Sequence, residues 1–122
     1  EVSEPVENGD GTRTYDVTVT MRNTIGDDDI SSLGLYILGP SEGTIVGYIH
    51  MFAPAGGTVS DFKASQNTRI YMDNYAGLDL GYTTHVIIYP KTPFVVTYKV
   101  TTAAGVTEPL QISTTPTLQD YR

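Results

Sequence analysis

Pro93-Phe94-Val95-Val96-Thr97-Tyr98-Lys99-Val100-Thr101-Thr102 is the stretch that most clearly indicates how this chain folds. Its even-numbered positions from 94 to 100 are apolar or aromatic, whereas Thr and Lys dominate the positions between them. Side chains of a β-strand point alternately to two faces, so this period of two predicts a half-buried strand. Residues 12–23 alternate in the same way, with apolar side chains at positions 15, 17, 19 and 21.

The remaining strand predictions are shorter and are separated by Gly, Pro and Asn turns. They cover residues 33–38, 44–52, 58–63, 68–73, 80–89 and 106–113. The short link 90–94 predicts a hairpin between the strands on either side of it. Residues 24–32 are too polar for a strand and are interpreted as a loop or as a single helical turn begun by a capping Asp.

Together these patterns predict an all-β domain, an immunoglobulin-like antiparallel β-sandwich of about 7–9 strands. A closed barrel shows the same period of two and remains the alternative. A length of 122 residues suits a single domain, 1–122, with one core. We expect residues 1–11 to be either loose or a short edge strand, and residues 114–122 to be a tail.

Composition excludes several partners. Fourteen acidic residues against seven basic ones give a net charge of −7, which does not suit binding to nucleic acid. The absence of Cys excludes a disulfide framework and a thiolate metal site, and no motif indicates a cofactor. We expect no membrane contact by this segment, because it has neither a spanning apolar run nor a basic amphipathic stretch.

Three tyrosines are the candidate ligand-binding residues. Tyr71, Tyr75 and Tyr82 lie close together in the sequence, around Asp73, Asn74 and Asp79. Tyrosine rings can stack on sugar rings, while carboxylate and amide groups can bond sugar hydroxyls, so a cell-wall glycan is the candidate ligand. The alternative is that these tyrosines cover sheet edges and place their hydroxyls in water.

Asp27, Asp28 and Asp29 form the one dense carboxylate run and are the candidate metal ligands, since Ca²⁺ prefers several oxygen atoms from one loop. Adjacent acids point in different directions and the alternating spacing of a calcium loop is missing. A solvated loop or a helix amino terminus is therefore the competing interpretation.

His50 and His85 are the only candidates for the general base of a nucleophilic triad. Both fall inside predicted strands beside apolar residues, and neither belongs to a recognisable motif. We therefore predict no catalytic residues and no enzyme activity.

The segments 15–24 (YDVTVTMRNT), 52–57 (FAPAGG) and 109–117 (PLQISTTPT) also carry a resemblance. In their order and spacing the chain resembles the carboxy-terminal β-sandwich domain of a family of large actinobacterial surface proteins that are anchored in the membrane near their amino terminus. That domain has no known function, and the resemblance supplies no catalytic residues. It implies an extracellular location, attached to the cell surface through the rest of the parent protein.

Three hypotheses follow for function. The first is a non-catalytic structural or interaction module of a bacterial cell-surface protein, with a protein partner bound through loops or exposed edges such as the predicted strand 33–38. The second is a carbohydrate-binding module that uses the three tyrosines. An enzyme ranks last.

Overall fold

The computed structural model describes residues 1–39 and 42–113. Within these ranges the chain forms nine strands and two short helices. In chain order they are β1 (Val6–Glu7), β2 (Arg13–Met21), α1 (Asp27–Ser32), α2 (Leu35–Leu38), β3 (Ile45–Gly47), β4 (His50–Phe52), β5 (Thr58–Ala64), β6 (Ile70–Tyr75), β7 (Leu78–Thr83), β8 (Val86–Ile88) and β9 (Phe94–Thr101). Neither helix of the described part is long and apolar enough to cross a membrane.

The strands form two layers. The first layer is a sheet in the order β1-β2-β9-β5, and the second consists of β4-β7-β6 together with the pair β3-β8. Every pairing between these strands is antiparallel. The chain is therefore an all-β sandwich, as predicted, although this strand order does not confirm an immunoglobulin-like arrangement.

The core lies on the inner face of β2 and β9, which pair without interruption from Thr14 opposite Thr101 to Met21 opposite Phe94. The predicted alternation of β9 is confirmed, because its even-numbered residues are buried and the residues between them are half-exposed. Each apolar side chain buried in this way contributes about 1.5–3 kcal/mol. The core cluster contains Val17, Met51, Ala53, Val59, Val86, Ile88, Phe94, Val96, Tyr98 and Val100.

A bulge in β5 brings an aromatic ring between the layers. The register of β5 with β9 shifts between residues 60 and 63, so that Asp61 and Phe62 together face the single residue Tyr98. Asp61 has a φ of 54°, and the extra residue shifts the alternation of side chains by one. As a result Val59, before the bulge, and Phe62, the second residue of the bulge, both contact the core.

A second irregularity divides the other layer. β3 pairs with β8 and β4 with β7, and between these two ladders residues 48 and 49 face residues 83 to 85. The extra residue makes a bulge, which bends the pair of segments. Thr83 satisfies the backbone at this bend, because its N–H donates to the Ile49 carbonyl oxygen and its hydroxyl accepts the Ile49 N–H, both at 3.0 Å. The predicted strands 44–52 and 80–89 are therefore each broken in two.

The prediction of a strand at residues 33–38 was wrong. Leu35–Leu38 is a helical turn between Gly34 and Gly39, and Leu35, Tyr36 and Ile37 are exposed. Four consecutive apolar residues have no period of two, and the φ of 68° at Gly39 turns the chain away directly after them. This segment is consequently not available as an edge strand for a partner.

Two further predictions were wrong. The link 90–94 does not form a hairpin, because β8 pairs with β3 and β9 pairs with β2 and β5. Residues 106–113 form no strand among the described residues, although Leu110 packs against the core. Pro109 has no N–H to donate to a ladder, so this segment lacks one of the donors that regular pairing uses.

The amino-terminal residues form an edge strand. β1 pairs with β2, and Val2 makes an isolated bridge to Val17. The turn between β1 and β2 is closed by a hydrogen bond from the Gly11 N–H to the Asn8 carbonyl oxygen. The predicted tail, 114–122, lies outside the described residues.

Candidate functional site

The candidate tyrosines lie on the second layer, on the face turned away from the first layer, which we call the outer face. Gly81 of β7 shows which face this is, since a Cβ atom at Gly81 would point at the Phe62 ring of the first layer. Side chains alternate along a strand, so Leu80 and Tyr82 point the opposite way. Leu80 is only 5% exposed there, and its direct cross-strand neighbours are Phe52 of β4 and Asp73 of β6.

Three aromatic side chains form a line across the outer face. Tyr71, Tyr82 and His50 are direct cross-strand neighbours on β6, β7 and β4. The Tyr71 and Tyr82 rings are stacked, with centroids 5.4 Å apart and planes at 25°. His50 meets Tyr82 edge-on at 5.9 Å and Phe52 edge-on at 6.4 Å. We call these four residues the aromatic row.

Arg69, the residue directly before β6, contacts the Tyr71 end of the aromatic row. Its guanidinium carbon lies 5.9 Å from the Tyr71 ring centre, and its Nη1 donates a hydrogen bond of 3.3 Å to the Tyr71 hydroxyl. This hydrogen bond raises the pKa of Arg69 above its ordinary value. With the stack on Tyr82 and the contact with Arg69 in place, Tyr71 is 36% exposed.

Tyr75 is not part of this stack. It lies opposite Leu78 at the far end of β6 and is 71% exposed. Asp73 comes between Tyr75 and Tyr71 on the same face, and its Oδ1 accepts the Asn74 N–H at 2.7 Å. The structure therefore brings together two of the three predicted tyrosines and leaves the third as a separate, accessible ring.

His50 and Phe52 belong to the face but were not predicted as ligand-binding residues. Alternation along β4 places both on one side of the strand, so their shared face could be read from the sequence. Their position beside Tyr82 could not, because it depends on the pairing of β4 with β7.

The acidic run Asp27, Asp28 and Asp29 forms the first turn of α1. Lys91 Nζ contacts the Asp27 carboxylate at 2.7 Å, and Asp29 Oδ2 accepts the Gly26 N–H at 3.1 Å. The helix therefore has Gly26 as its N-cap, and the prediction of a capping Asp was wrong. Among the described residues, no group of three or more His, Cys, Asp and Glu side chains is placed to hold a metal ion.

The two histidines contact aromatic rings. His85 lies 5.3 Å from Tyr48, and His50 is part of the aromatic row. His50 lies in β4, as predicted. His85 lies in the link between β7 and β8, so the prediction that it falls inside a strand was wrong.

No family model, curated protein or solved structure matches this chain.

Proposed function

We propose that this chain is a non-catalytic interaction module of a bacterial cell-surface protein, and that its outer face binds a partner protein in the extracellular space. The supporting observation is the aromatic row. Aromatic side chains with hydroxyl or ring N–H groups are typical of protein interfaces, because they bury apolar area and still form hydrogen bonds.

The packing of the aromatic row favours a protein over a sugar as the partner. A sugar stacks on the face of an aromatic ring, and the stack between Tyr71 and Tyr82 occupies one face of each ring. Arg69 contacts the Tyr71 ring and His50 meets the Tyr82 ring edge-on, so both rings have a further neighbour. Phe52 is 45% exposed at the side of the row and is the accessible apolar anchor. A protein surface with an apolar pocket for Phe52 and acceptors for the tyrosine hydroxyls would fit this arrangement.

Binding of the fluorescently labelled chain to actinobacterial cells tests the proposal. We expect protease treatment of the cells to abolish binding and periodate oxidation of their glycans to leave it intact. Phe52→Ser should weaken binding by about fivefold or more, as expected for an interface anchor. Tyr89→Ser is the matched control, because Tyr89 is exposed to a similar degree but follows β8, outside the aromatic row. Equal binding by the native chain and Phe52→Ser would contradict the proposal.

Carbohydrate binding is the second candidate, and the exposure of Tyr75 favours it. The Tyr75 ring is free on the same face as Asp73, whose carboxylate could accept hydrogen bonds from sugar hydroxyls. In this case a glycan array should show saturable binding that Tyr75→Ser removes and Phe52→Ser retains. The acidic turn of α1 would be implicated only if a chelator abolished this binding.

A further inference from the structure

The free edge of β6 exposes hydrogen-bonding groups of the backbone. β6 is the outer strand of β4-β7-β6 and pairs with β7 over all six of its residues without a shift in register. On its other side it has no neighbouring strand among the described residues. An edge of this kind can accept a further strand.

The direction of each backbone group follows from β7. The Thr83 N–H and the Asp79 carbonyl oxygen bond residues 49 and 53 on the β4 side, so odd-numbered residues of β7 direct their backbone groups toward β4. Even-numbered residues of β7 therefore face β6, where Tyr82 lies opposite Tyr71. It follows that β6 turns the backbone groups of Tyr71 toward β7 and those of its even-numbered residues, 70 and 72, toward the free edge.

The other edges of the described sheets are less suited to pairing. β1 has two residues, and β3, β4 and β8 have three residues each. β5 carries the bulge at residues 61 and 62. Bulges and very short strands are the usual protection of a sheet edge, and β6 has neither. β6 is therefore the longest regular edge that the described residues present.

We propose that two copies of this chain associate by antiparallel pairing of β6 with the partner's β6, around a two-fold axis at Tyr71. In this register Tyr71 faces the partner's Tyr71, Arg69 faces the partner's Asp73, and Ile70 faces the partner's Met72. Four backbone hydrogen bonds join residues 70 and 72 of the two strands, two in each direction.

Charge complementarity selects this register. A two-fold axis perpendicular to a sheet keeps the outer face on one side, so the outer-face residues 69, 71 and 73 must face one another. A two-fold axis at Asp73 would place the two Asp73 carboxylates opposite each other. An axis at Ile70 would place Arg69 opposite the partner's Tyr71. An axis at Met72 would place Asp73 opposite the partner's Tyr71. Only the axis at Tyr71 gives each charged residue an opposite charge, and unlike pairs across strands are stabilising.

The association would join two sandwiches into one wider sheet with the strand order β4-β7-β6-β6-β7-β4. The two aromatic rows would then lie side by side on one continuous face. The contact is confined to a strand edge, and the net charge of −7 on each copy opposes it, so we expect a weak dimer that forms more readily as salt screens the overall repulsion.

Sedimentation velocity over roughly 1 μM to 1 mM measures this association. The native chain should shift from monomer to dimer, and Asp73→Arg and Arg69→Asp should each weaken association by about fivefold or more because each places like charges opposite one another. The double variant Arg69→Asp/Asp73→Arg should restore it. Glu4→Arg changes the net charge by the same amount as Asp73→Arg but lies far from β6, so it should associate at least as well as the native chain.

A single cysteine tests the position of the axis, because the native chain has none. Residues that face each other without hydrogen bonds have Cα atoms about 4.5 Å apart, within the range that a disulfide bridges. Tyr71→Cys should therefore oxidise to a covalent dimer, whereas Tyr75→Cys should stay monomeric. Circular dichroism checks that both variants are folded.

A native chain that remains monomeric over the whole concentration range overturns this inference, as does failure of the double charge swap to restore association. The proposed dimer contact is formed by the edge of β6, whereas the proposed binding of a partner protein uses Phe52 on the outer face. Phe52→Ser should accordingly dimerise like the native chain even where it no longer binds cells, so the two proposals fail separately.

Discussion

Replacement of Gly81 by alanine should destabilise the sandwich through one contact between its layers. A Cβ atom at Gly81 would lie 2.6 Å from Phe62 Cε2 and 2.9 Å from Cε1, well inside van der Waals distance. The Phe62 ring cannot withdraw freely, because it is stacked on Tyr98 with centroids 5.1 Å apart. Overpacking of this kind usually costs about 1–3 kcal/mol, and we expect about 1–2 kcal/mol because Phe62 is only half-buried.

A double-mutant cycle separates the steric effect of the Phe62 ring from the other effects of Gly81→Ala on stability. Once Phe62→Ala has removed the ring, Gly81→Ala should stabilise the strand by about 0.5–1 kcal/mol, because alanine loses less backbone entropy than glycine on folding. The two substitutions should therefore be coupled by about 1.5–3 kcal/mol. Gly47→Ala in β3 is the matched control, since a Cβ at Gly47 would meet nothing within 4 Å.

Urea unfolding followed by circular dichroism is the assay. A loss of about 1–2 kcal/mol should lower the midpoint for Gly81→Ala by on the order of 1 M. If Gly81→Ala were as well tolerated as Gly47→Ala, or if its effect persisted without the Phe62 ring, then Phe62 would not be the part of the first layer that restricts residue 81.

Two further predictions concern hydrogen bonds. Thr83→Val should destabilise the chain by about 1–2 kcal/mol in urea unfolding, because the part-buried Ile49 N–H loses its hydroxyl acceptor. Thr83→Ser should retain most of the stability. The Thr12 hydroxyl and N–H both donate to Asp10 and lower the pKa of the Asp10 carboxyl group. The ionised carboxylate therefore stabilises the fold at pH values above the pKa that Asp10 has in the unfolded chain. This stabilisation disappears as pH falls through the lowered pKa of the folded state. Asp10→Asn should accordingly be less stable than the native chain at neutral pH, with a difference that shrinks in acid; a constant difference in unfolding experiments at several pH values would contradict this.

Local alternation predicted the long strands because burial on one face depends only on neighbours in the sequence. β2 and β9 lie within the predicted ranges, and their inner faces form much of the core. Residues 33–38 and 106–113 were misassigned because apolar content alone does not indicate a strand. In the first case two glycines delimit a helical turn, and in the second Pro109 lacks one of the donors that regular pairing uses.

The candidate site was only partly predictable. Proximity in sequence identified Tyr71 and Tyr82, which face each other because β6 and β7 form a hairpin. Proximity in sequence also suggested Tyr75, which lies next to the turn of this hairpin, at the opposite end of β6 from Tyr71. His50 and Phe52 lie about twenty residues before Tyr71 and about thirty before Tyr82, so no local pattern could associate them with the tyrosines.

By itself, the sequence determined that the chain is all-β, which residues of the long strands face the core, and that the overall charge is acidic. These properties depend on period and composition, which are local or additive. Tertiary structure decided which strands are neighbours, how the second layer bends at residues 48 and 49, and which edge has no neighbouring strand in the described part of the chain. These properties depend on backbone hydrogen bonds between segments that are distant in the sequence. Any two strands with a period of two can form such bonds. The strand that each one pairs with is therefore decided only when the whole chain packs.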